Sequence, residues 1–340
     1  MGSEMDTLGV GIIGCGWVSE EYIKAFGEDR RAEIRALVNR SVGKAQAHRD
    51  KYGLDCYVGA DAEAMLARND IDVVVVSTHH DSHTEYAVAA AEAGKHVIVE
   101  KPVALCMADV RRQQRAIGQA GVKSIVGFVL RWNPLLSTVN SLIDQGAFGH
   151  VFMTEVDYLH RIWCGPASWF GTREHGGTAL LAAGCHGVDA MRWFARSAPV
   201  EVSAYQVKTE NPNEYPGTIA ILVRFENGTI GRSTCCFDAR MPYVFHVGIY
   251  GTEGSLRNDK VFAPKLFPGQ NGFMTIPTIL PDSGNVAHHP FRDEVRHFLD
   301  AIEHDTRPMP DIDEAAKTMA ICFAADRSAE EGRPVRIDEL

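Results

Sequence analysis

The first chemistry in this chain lies in Leu8-Gly9-Val10-Gly11-Ile12-Ile13-Gly14-Cys15-Gly16-Trp17-Val18-Ser19, where a β-branched apolar run ends in Gly-x-Gly and passes into helical spacing through Val18, Ile23 and Phe26. A strand, a tight turn and a helix start in that order suit a dinucleotide pyrophosphate. Gly14 permits the turn, Gly16 admits phosphate to the backbone, and the N–H groups at Trp17 and Val18 attract negative charge. The third small position is Ser19, not Gly or Ala, and an ordinary buried turn is the plain structural alternative. About 20 residues further on, where such folds place the ribose-reading side chain, strand 33–38 ends in Asn39-Arg40-Ser41. An acid there would bond the 2′-hydroxyl of NAD. Asn39 removes repulsion against a 2′-phosphate and Arg40 can pair with one, which points to NADP; Asn39 can also bond a ribose hydroxyl, so NAD stays open.

A second group sits at the carboxyl ends of two later strands. The valine run 71–76 reads as a central parallel strand buried on both faces. It ends in Ser77-Thr78-His79-His80-Asp81-Ser82-His83, a polar loop where ligands of open α/β sheets sit. Three histidines and an aspartate invite a metal reading, but adjacency in a loop does not supply converging ligands, and no metal is expected. His83 reads as the start of the next helix. Strand 96–99 then delivers Glu100-Lys101-Pro102. There the Lys101 ammonium can hold a substrate hydroxyl or shuttle a proton beside a bound nicotinamide, or it is simply a surface lysine. Pro102 turns Lys101 away from helical backbone. Ser77, Thr78, His80, His83, Glu100, Lys101, Pro102 and the later Arg131 join the Gly-x-Gly turn as the expected cofactor-binding set.

A third group follows the glycine pair Gly176-Gly177. Ala182, His186 and Asp189 fall at i, i+4 and i+7, one face of a helix. Upstream, Tyr158 and His160 alternate to one face of a strand. Trp163 and Trp169 offer flat surfaces of the kind that stack on sugar rings, and Arg173 can enter from the loop; half-buried strand and core positions are the plain alternatives. Loop 159–175 is therefore a candidate substrate lining, with Cys185 beside His186. His288-His289-Pro290 reads as a helix entry.

The elements behind these groups are regular. The first 127 residues alternate strand and helix through about six strands, the complement of a doubly wound dinucleotide domain. Beyond residue 127, strands at 150–158, 200–208, 217–224, 228–237 and 244–250, with an Asn227-Gly228 turn, read as a second α+β domain over 128–340, whose C-terminal helix can pack back on the first domain. The chain has 340 residues, 45% hydrophobic, with net charge −10, enough for two cores. No basic cluster suggests a nucleic-acid surface, and no apolar run has the length of a membrane span. Residues 1–6 carry neither the basic nor the apolar part of a signal peptide, so a cytoplasmic protein is expected. Eight scattered cysteines without a C-x-x-C read as buried free thiols.

Gly14-Cys15-Gly16, the valine strand into Ser77-Thr78, the string 92–102 ending in Glu100-Lys101-Pro102, and Gly127-Phe128-x-x-Arg131-Trp132-x-Pro134 together resemble the Gfo/Idh/MocA oxidoreductases. The likeness continues through Gly176-Gly177-Thr178, His186-x-x-Asp189, Gly251-Thr252-Glu253-Gly254-Ser255 and the closing helix 313–331. The resemblance implies a Rossmann domain followed by a large, mostly antiparallel sheet, whose outer face makes a homodimer or homotetramer. It implies NAD(P)-dependent hydride transfer at a hydroxyl-bearing carbon of a sugar, cyclic polyol or glycoside. Lys101 and His186 are then the catalytic pair, with His186 as acid/base. The family usually has Asp four residues before that histidine, where this chain has Ala182; Tyr158 and His160 are the substitutes considered. Two further readings follow from that departure: an enzyme that cleaves glycosides by oxidising and re-reducing them on a retained cofactor, and a cofactor-binding sensor without turnover.

Overall fold

Local sequence rules account for most of the first unit. In the computed structural model, which describes residues 7–340, a six-stranded parallel sheet forms from β1 (Leu8–Ile13), β2 (Ala32–Val38), β3 (Tyr57–Gly59), β4 (Val73–Val76), β5 (His96–Val99) and β6 (Ser124–Val126). Its order is β3-β2-β1-β4-β5-β6, the doubly wound arrangement that reverses direction at β1/β4. All four valines of β4 are buried, as a strand covered on both faces requires. The connecting helices are α1 (Trp17–Gly27), α2 (Val42–Tyr52), α3 (Ala62–Leu66), α4 (His83–Glu92) and α5 (Met107–Ala120). Asp61 caps α3 by accepting the Ala64 N–H at 3.1 Å, and glycines in left-handed backbone, Gly53 and Gly121, end α2 and α5.

The second unit is built on nine strands. After α6 (Pro134–Asp144), β7 (Val151–Leu159), α7 (Arg173–Gly176) and α8 (Cys185–Ala195) come β8 (Pro199–Val207), β9 (Thr218–Phe225), β10 (Ile230–Cys236) and β11 (Val244–Gly251). Short strands β12 (Ser255–Arg257), β13 (Lys260–Phe262), β14 (Met274–Thr275) and β15 (Val335–Arg336) complete it. The order is β14-β13-β12-β11-β7-β10-β9-β8-β15, antiparallel except that β7 and β10 run parallel. Strand β9 alternates strictly, Ile219, Ile221, Val223 and Phe225 buried and Ala220, Leu222 and Arg224 exposed, so one face packs the core and carries α8. Helix α6 and strands β12–β15 go beyond the sequence reading; the strands are two or three residues long, too short for a period to show.

The units do not follow one cut. Residues 289–316, with α9 (Phe291–Glu303) and the start of α10 (Ile312–Glu331), belong with residues 7–129; residues 130–288 and 317–340 form the other unit. The chain crosses between the units more than once, and the returning segment packs its helix α9 on α1. Pro290 stands at the N-cap of α9, so His288-His289-Pro290 is a helix entry as read. All eight cysteines are unpaired; Cys15, Cys185, Cys235 and Cys322 are buried, whereas Cys106 and Cys164 are exposed, against the expectation of buried thiols. Residues 1–6, where the absence of a signal peptide was read, lie outside the described residues.

Candidate active site

In the first unit the chemistry-bearing groups meet at the carboxyl ends of β1, β2, β4 and β5. Gly14 has φ +97° and donates its N–H to the Val38 carbonyl at 2.8 Å; an added Cβ would lie 2.5 Å from the Ser77 carbonyl oxygen, so only glycine fits. Ser77 Oγ donates to the Gly14 carbonyl at 2.9 Å. Asn39 ties the same turn to the end of β2: its Oδ1 accepts the Cys15 N–H at 3.0 Å and its Nδ2 donates to the Ser41 carbonyl at 2.9 Å. Arg40 beside it is exposed. Ser19 is buried and turns its hydroxyl onto the Gly16 carbonyl at 2.6 Å, so the unusual third residue closes the turn on itself.

The start of α1 fits a pyrophosphate. No side chain caps it, Gly16 stands at its N-cap, and a Cβ added there would meet nothing within 4 Å. Trp17 is 70% exposed and Val18 half-buried. Uncapped helix N–H groups facing open space attract an anion.

The loop after β4 is organised from inside. Ser82 Oγ donates to Thr78 Oγ1 at 2.8 Å, and the buried His80 ring meets the His83 ring edge-on at 5.7 Å. His83 is 1% exposed, with Nδ1 2.8 Å from the Pro102 carbonyl and Nε2 3.2 Å from that of Thr78. Burial lowers its pKa to about 4, the Lys101 charge acting the same way and the two carbonyls opposing. The ring is thus neutral near pH 7, and it lies between the Thr78 and Pro102 carbonyls, linking the ends of β4 and β5. The Lys101-Pro102 bond is cis. Glu100 is buried, accepting the Lys101 N–H at 3.1 Å and the Tyr22 hydroxyl at 2.9 Å; its carboxylate is engaged within the unit.

In the second unit His186, 5% exposed, sits in the first turn of α8. The regular i, i+4, i+7 face expected from Ala182 to Asp189 is broken by a π-helical turn over Leu180–Gly184. Its wider turn shifts Ala182 out of α-helical register with His186. Gly184 lies against Cys235, whose Sγ would be 2.7 Å from an added Cβ. The Ala182 N–H bonds the Thr178 carbonyl at 2.8 Å, and Thr178 Oγ1 donates to Asp326 at 2.7 Å. Burial pushes the Asp326 carboxyl up to about 7, Glu330 adding repulsion while the Thr178 bond pulls it down. The acid attached to this turn is therefore Asp326, from α10, which sequence reading missed because it lies 144 positions beyond Ala182.

Asp189 and Arg131 form a buried bidentate pair, Nε–Oδ2 2.6 Å and Nη2–Oδ1 2.7 Å. Thr318 donates to the same carboxylate at 2.9 Å, and the guanidinium lies 5.2 Å from the Trp193 ring centre. Arg131, expected at the cofactor, is held inside the second unit by this pair. Asp189 supports the fold.

Tyr158 and His160 come together as expected, Oη to Nδ1 3.4 Å. Tyr243, not anticipated, packs edge-on against both at 5.5 and 5.3 Å. Its hydroxyl and Trp163 Nε1 are buried polar atoms without a protein partner among the described residues. Burial lowers the His160 pKa and raises that of Tyr158, so both are neutral hydrogen-bonding groups near pH 7. Arg161 covers one face of Trp163 at 4.3 Å, and Trp169 sits edge-on to Phe170, which leaves less free ring surface than the sequence suggested. Cys185 is buried and its thiol faces the Leu181 carbonyl at 3.4 Å; Arg173 is at the surface, 3.6 Å from Glu330. No cluster of metal-ligating side chains occurs among the described residues.

Residues 8–128 match the oxidoreductase family with the NAD-binding Rossmann fold, and residues 136–257 match the GFO/IDH/MocA C-terminal domain. The chain is 26% identical to D-apiose dehydrogenase of Paraburkholderia graminis over 97% of its length and 89% of that enzyme. It is 27% identical to a 1-carboxy-3-chloro-3,4-dihydroxycyclo hexa-1,5-diene dehydrogenase of Comamonas testosteroni, over 66% of this chain and 57% of that one. The levoglucosan dehydrogenase complex with NADH shares the fold with a TM-score of 0.87 at 23% identity, over 97% of this chain and 99% of that one. The chain belongs to the GFO/IDH/MocA family and is an NAD(P)-dependent oxidoreductase with an NAD-binding Rossmann domain.

Proposed function

We propose that this protein transfers hydride between a nicotinamide and a hydroxyl-bearing carbon of a free sugar or cyclic polyol. The observation that carries the reading is the polar aromatic group on the second unit. Tyr158, His160 and Tyr243 lie together, and Tyr243 and Trp163 each hold a buried polar atom with no protein partner among the described residues. Leaving such atoms unpaired costs roughly 1–3 kcal/mol each, and the hydroxyls of a polyol supply the missing partners. The sugar dehydrogenase named above supports the same substrate class.

The cofactor supplies the hydride acceptor or donor. Lys101 bonds the reacting hydroxyl through its ammonium, and His186 takes or returns the hydroxyl proton. Neither role needs the carboxylate that Ala182 replaces, because a neutral imidazole is already a base near pH 7.

The test begins with the purified protein, denatured and assayed for released nicotinamide. Wild-type enzyme is then offered NAD or NADP with pentoses, hexoses and inositols, reading net NAD(P)H. Net reduction with any of these supports the reading. A stoichiometric retained cofactor, with glycoside cleavage and no net reduction, would replace it with the redox-cycling reading. Cofactor binding with no turnover would replace it with a sensor.

At the ribose site we propose a preference for NADP. Asn39→Asp places a carboxylate where a 2′-phosphate would lie, so the NADP/NAD ratio of kcat/KM should fall by about tenfold or more. An unchanged ratio removes residue 39 from that site. We propose that the subunits associate as a homodimer or homotetramer through the outer face of the nine-stranded sheet, where Tyr205 is 83%, Leu222 51% and Ile230 50% exposed. Light scattering should return two or four chain masses, and a monomer would refute this.

A further inference from the structure

The most heavily buried ionisable cluster of the first unit lies directly behind Lys101 and takes no part in the reaction proposed above. Tyr22, on α1, is fully buried. Its hydroxyl oxygen is 2.9 Å from Glu100 Oε1 and 3.2 Å from Glu294 Oε2, the latter on α9. Glu294 is 0% exposed, and its other oxygen, Oε1, has no partner among the described residues. Glu100 is better supplied: Oε1 faces Tyr22 and Oε2 accepts the Lys101 N–H at 3.1 Å. Gly127 leaves room for this carboxylate, since an added Cβ would lie 2.6 Å from Glu100 Oε1. Phe291 closes the cluster edge-on over Tyr22 at 5.0 Å.

The proton count decides the chemistry. A phenol carries one proton and cannot donate to two carboxylates at once. One of the two carboxyls must bring a proton of its own and donate to the tyrosine oxygen. An ionised Glu294 would place one buried anionic oxygen without a partner and the other against an oxygen with no proton to give, whereas a neutral acid donates through Oε2 and leaves only a carbonyl-like oxygen unpaired.

We infer that Glu294 is a neutral carboxylic acid that donates to Tyr22, that Tyr22 donates to an ionised Glu100, and that this two-proton chain holds the backbone of Lys101 in place. Tyr22 and Glu294 are positioning residues. The charged and titratable groups facing the chain are Tyr22 from α1, Glu100 and Lys101 from the end of β5, and Glu294 from α9. Burial raises the Glu294 pKa and the Glu100 charge adds to it; burial raises the Glu100 pKa as well, but there the Lys101 charge and the Tyr22 bond oppose it.

The proton arrangement does not depend on the proposed function, and its test needs no substrate. Infrared spectra of the intact protein near pH 7 should contain a protonated-carboxyl C=O band that disappears in Glu294→Gln and persists in Glu100→Gln. Asp326→Asn identifies the band owed to the raised carboxyl of the second unit. Glutamine mimics the neutral acid by donating through its amide, so Glu294→Gln should keep the hydrogen-exchange protection of the Lys101 amide. Tyr22→Phe removes both bonds, and that amide should exchange about tenfold faster or more. A band untouched by Glu294→Gln, a band lost instead in Glu100→Gln, or a Lys101 amide equally protected in Tyr22→Phe would each overturn the inference. If these results hold while no sugar or polyol is turned over, the substrate reading alone has failed.

Discussion

Replacing Lys101 by alanine is expected to leave cofactor affinity within a few-fold of wild type and to lower kcat by about 10²–10⁴-fold, the range of a lost proton-transfer or hydroxyl-binding group. The separation follows from where the parts sit. The pyrophosphate position depends on backbone at Gly14 and Gly16 and on the start of α1, which has no side-chain cap among the described residues. Lys101 stands at the end of β5, with its N–H on Glu100 and the next carbonyl on His83, so its backbone is fixed by neighbours that the substitution leaves in place. Lys101→Arg should rescue poorly, since a planar fork cannot reproduce a point charge on a flexible stem. The measurement is kcat beside cofactor Kd by NADH fluorescence. A wild-type rate in Lys101→Ala removes this residue from the chemistry; equal losses of rate and cofactor affinity show that it serves binding.

How legible these parts were in the sequence follows from the range of the interaction that places each one. The Gly-x-Gly turn, the valine strand and the Lys101-Pro102 strand end are local patterns, and the structure keeps all three in their expected elements. The motif around Gly127-Phe128 marks Arg131, but no local rule pairs it with Asp189, 58 residues on. The π-helical turn at Leu180–Gly184 was invisible because hydrophobic spacing assumes α-helical register, while this turn accommodates a close approach of Gly184 to Cys235 from another strand. Glu294 did leave a trace. It falls on the same face of α9 as Phe291, Val295 and Phe298, all buried. An acid in an apolar stripe signals an internal partner, but naming Tyr22 as that partner requires a contact across 272 residues. Tyr243 left no trace, since an aromatic at a strand entry is ordinary.

The largest stability effect is expected at Asp189. Its carboxylate receives two bonds from Arg131 and one from Thr318, with side chains of the ion pair only 6% and 2% exposed. Asp189→Ala leaves the Arg131 guanidinium buried without a counter-charge, a change that costs roughly 3–5 kcal/mol. For a unit of this size that lowers Tm by about 6–20 °C. Partial recovery is expected when the buried pair is removed as a whole. Removing both charges together, as Arg131→Met with Asp189→Leu, removes the Arg131 ion and lets Trp193 and its neighbours pack on apolar atoms, so the double variant should melt above Asp189→Ala, although the buried Arg192, 3.9 Å from the Asp189 carboxylate, loses that neighbour in both variants. Thr318 then loses its acceptor and retains only the Arg192 Nε–H as donor, at 3.0 Å, which limits the recovery. Cofactor affinity measured below the melting range separates the two roles considered for Arg131. If the pair serves the fold alone, the double variant binds NAD(P) as wild type does; if Arg131 also reaches the cofactor, that affinity falls even where stability has returned.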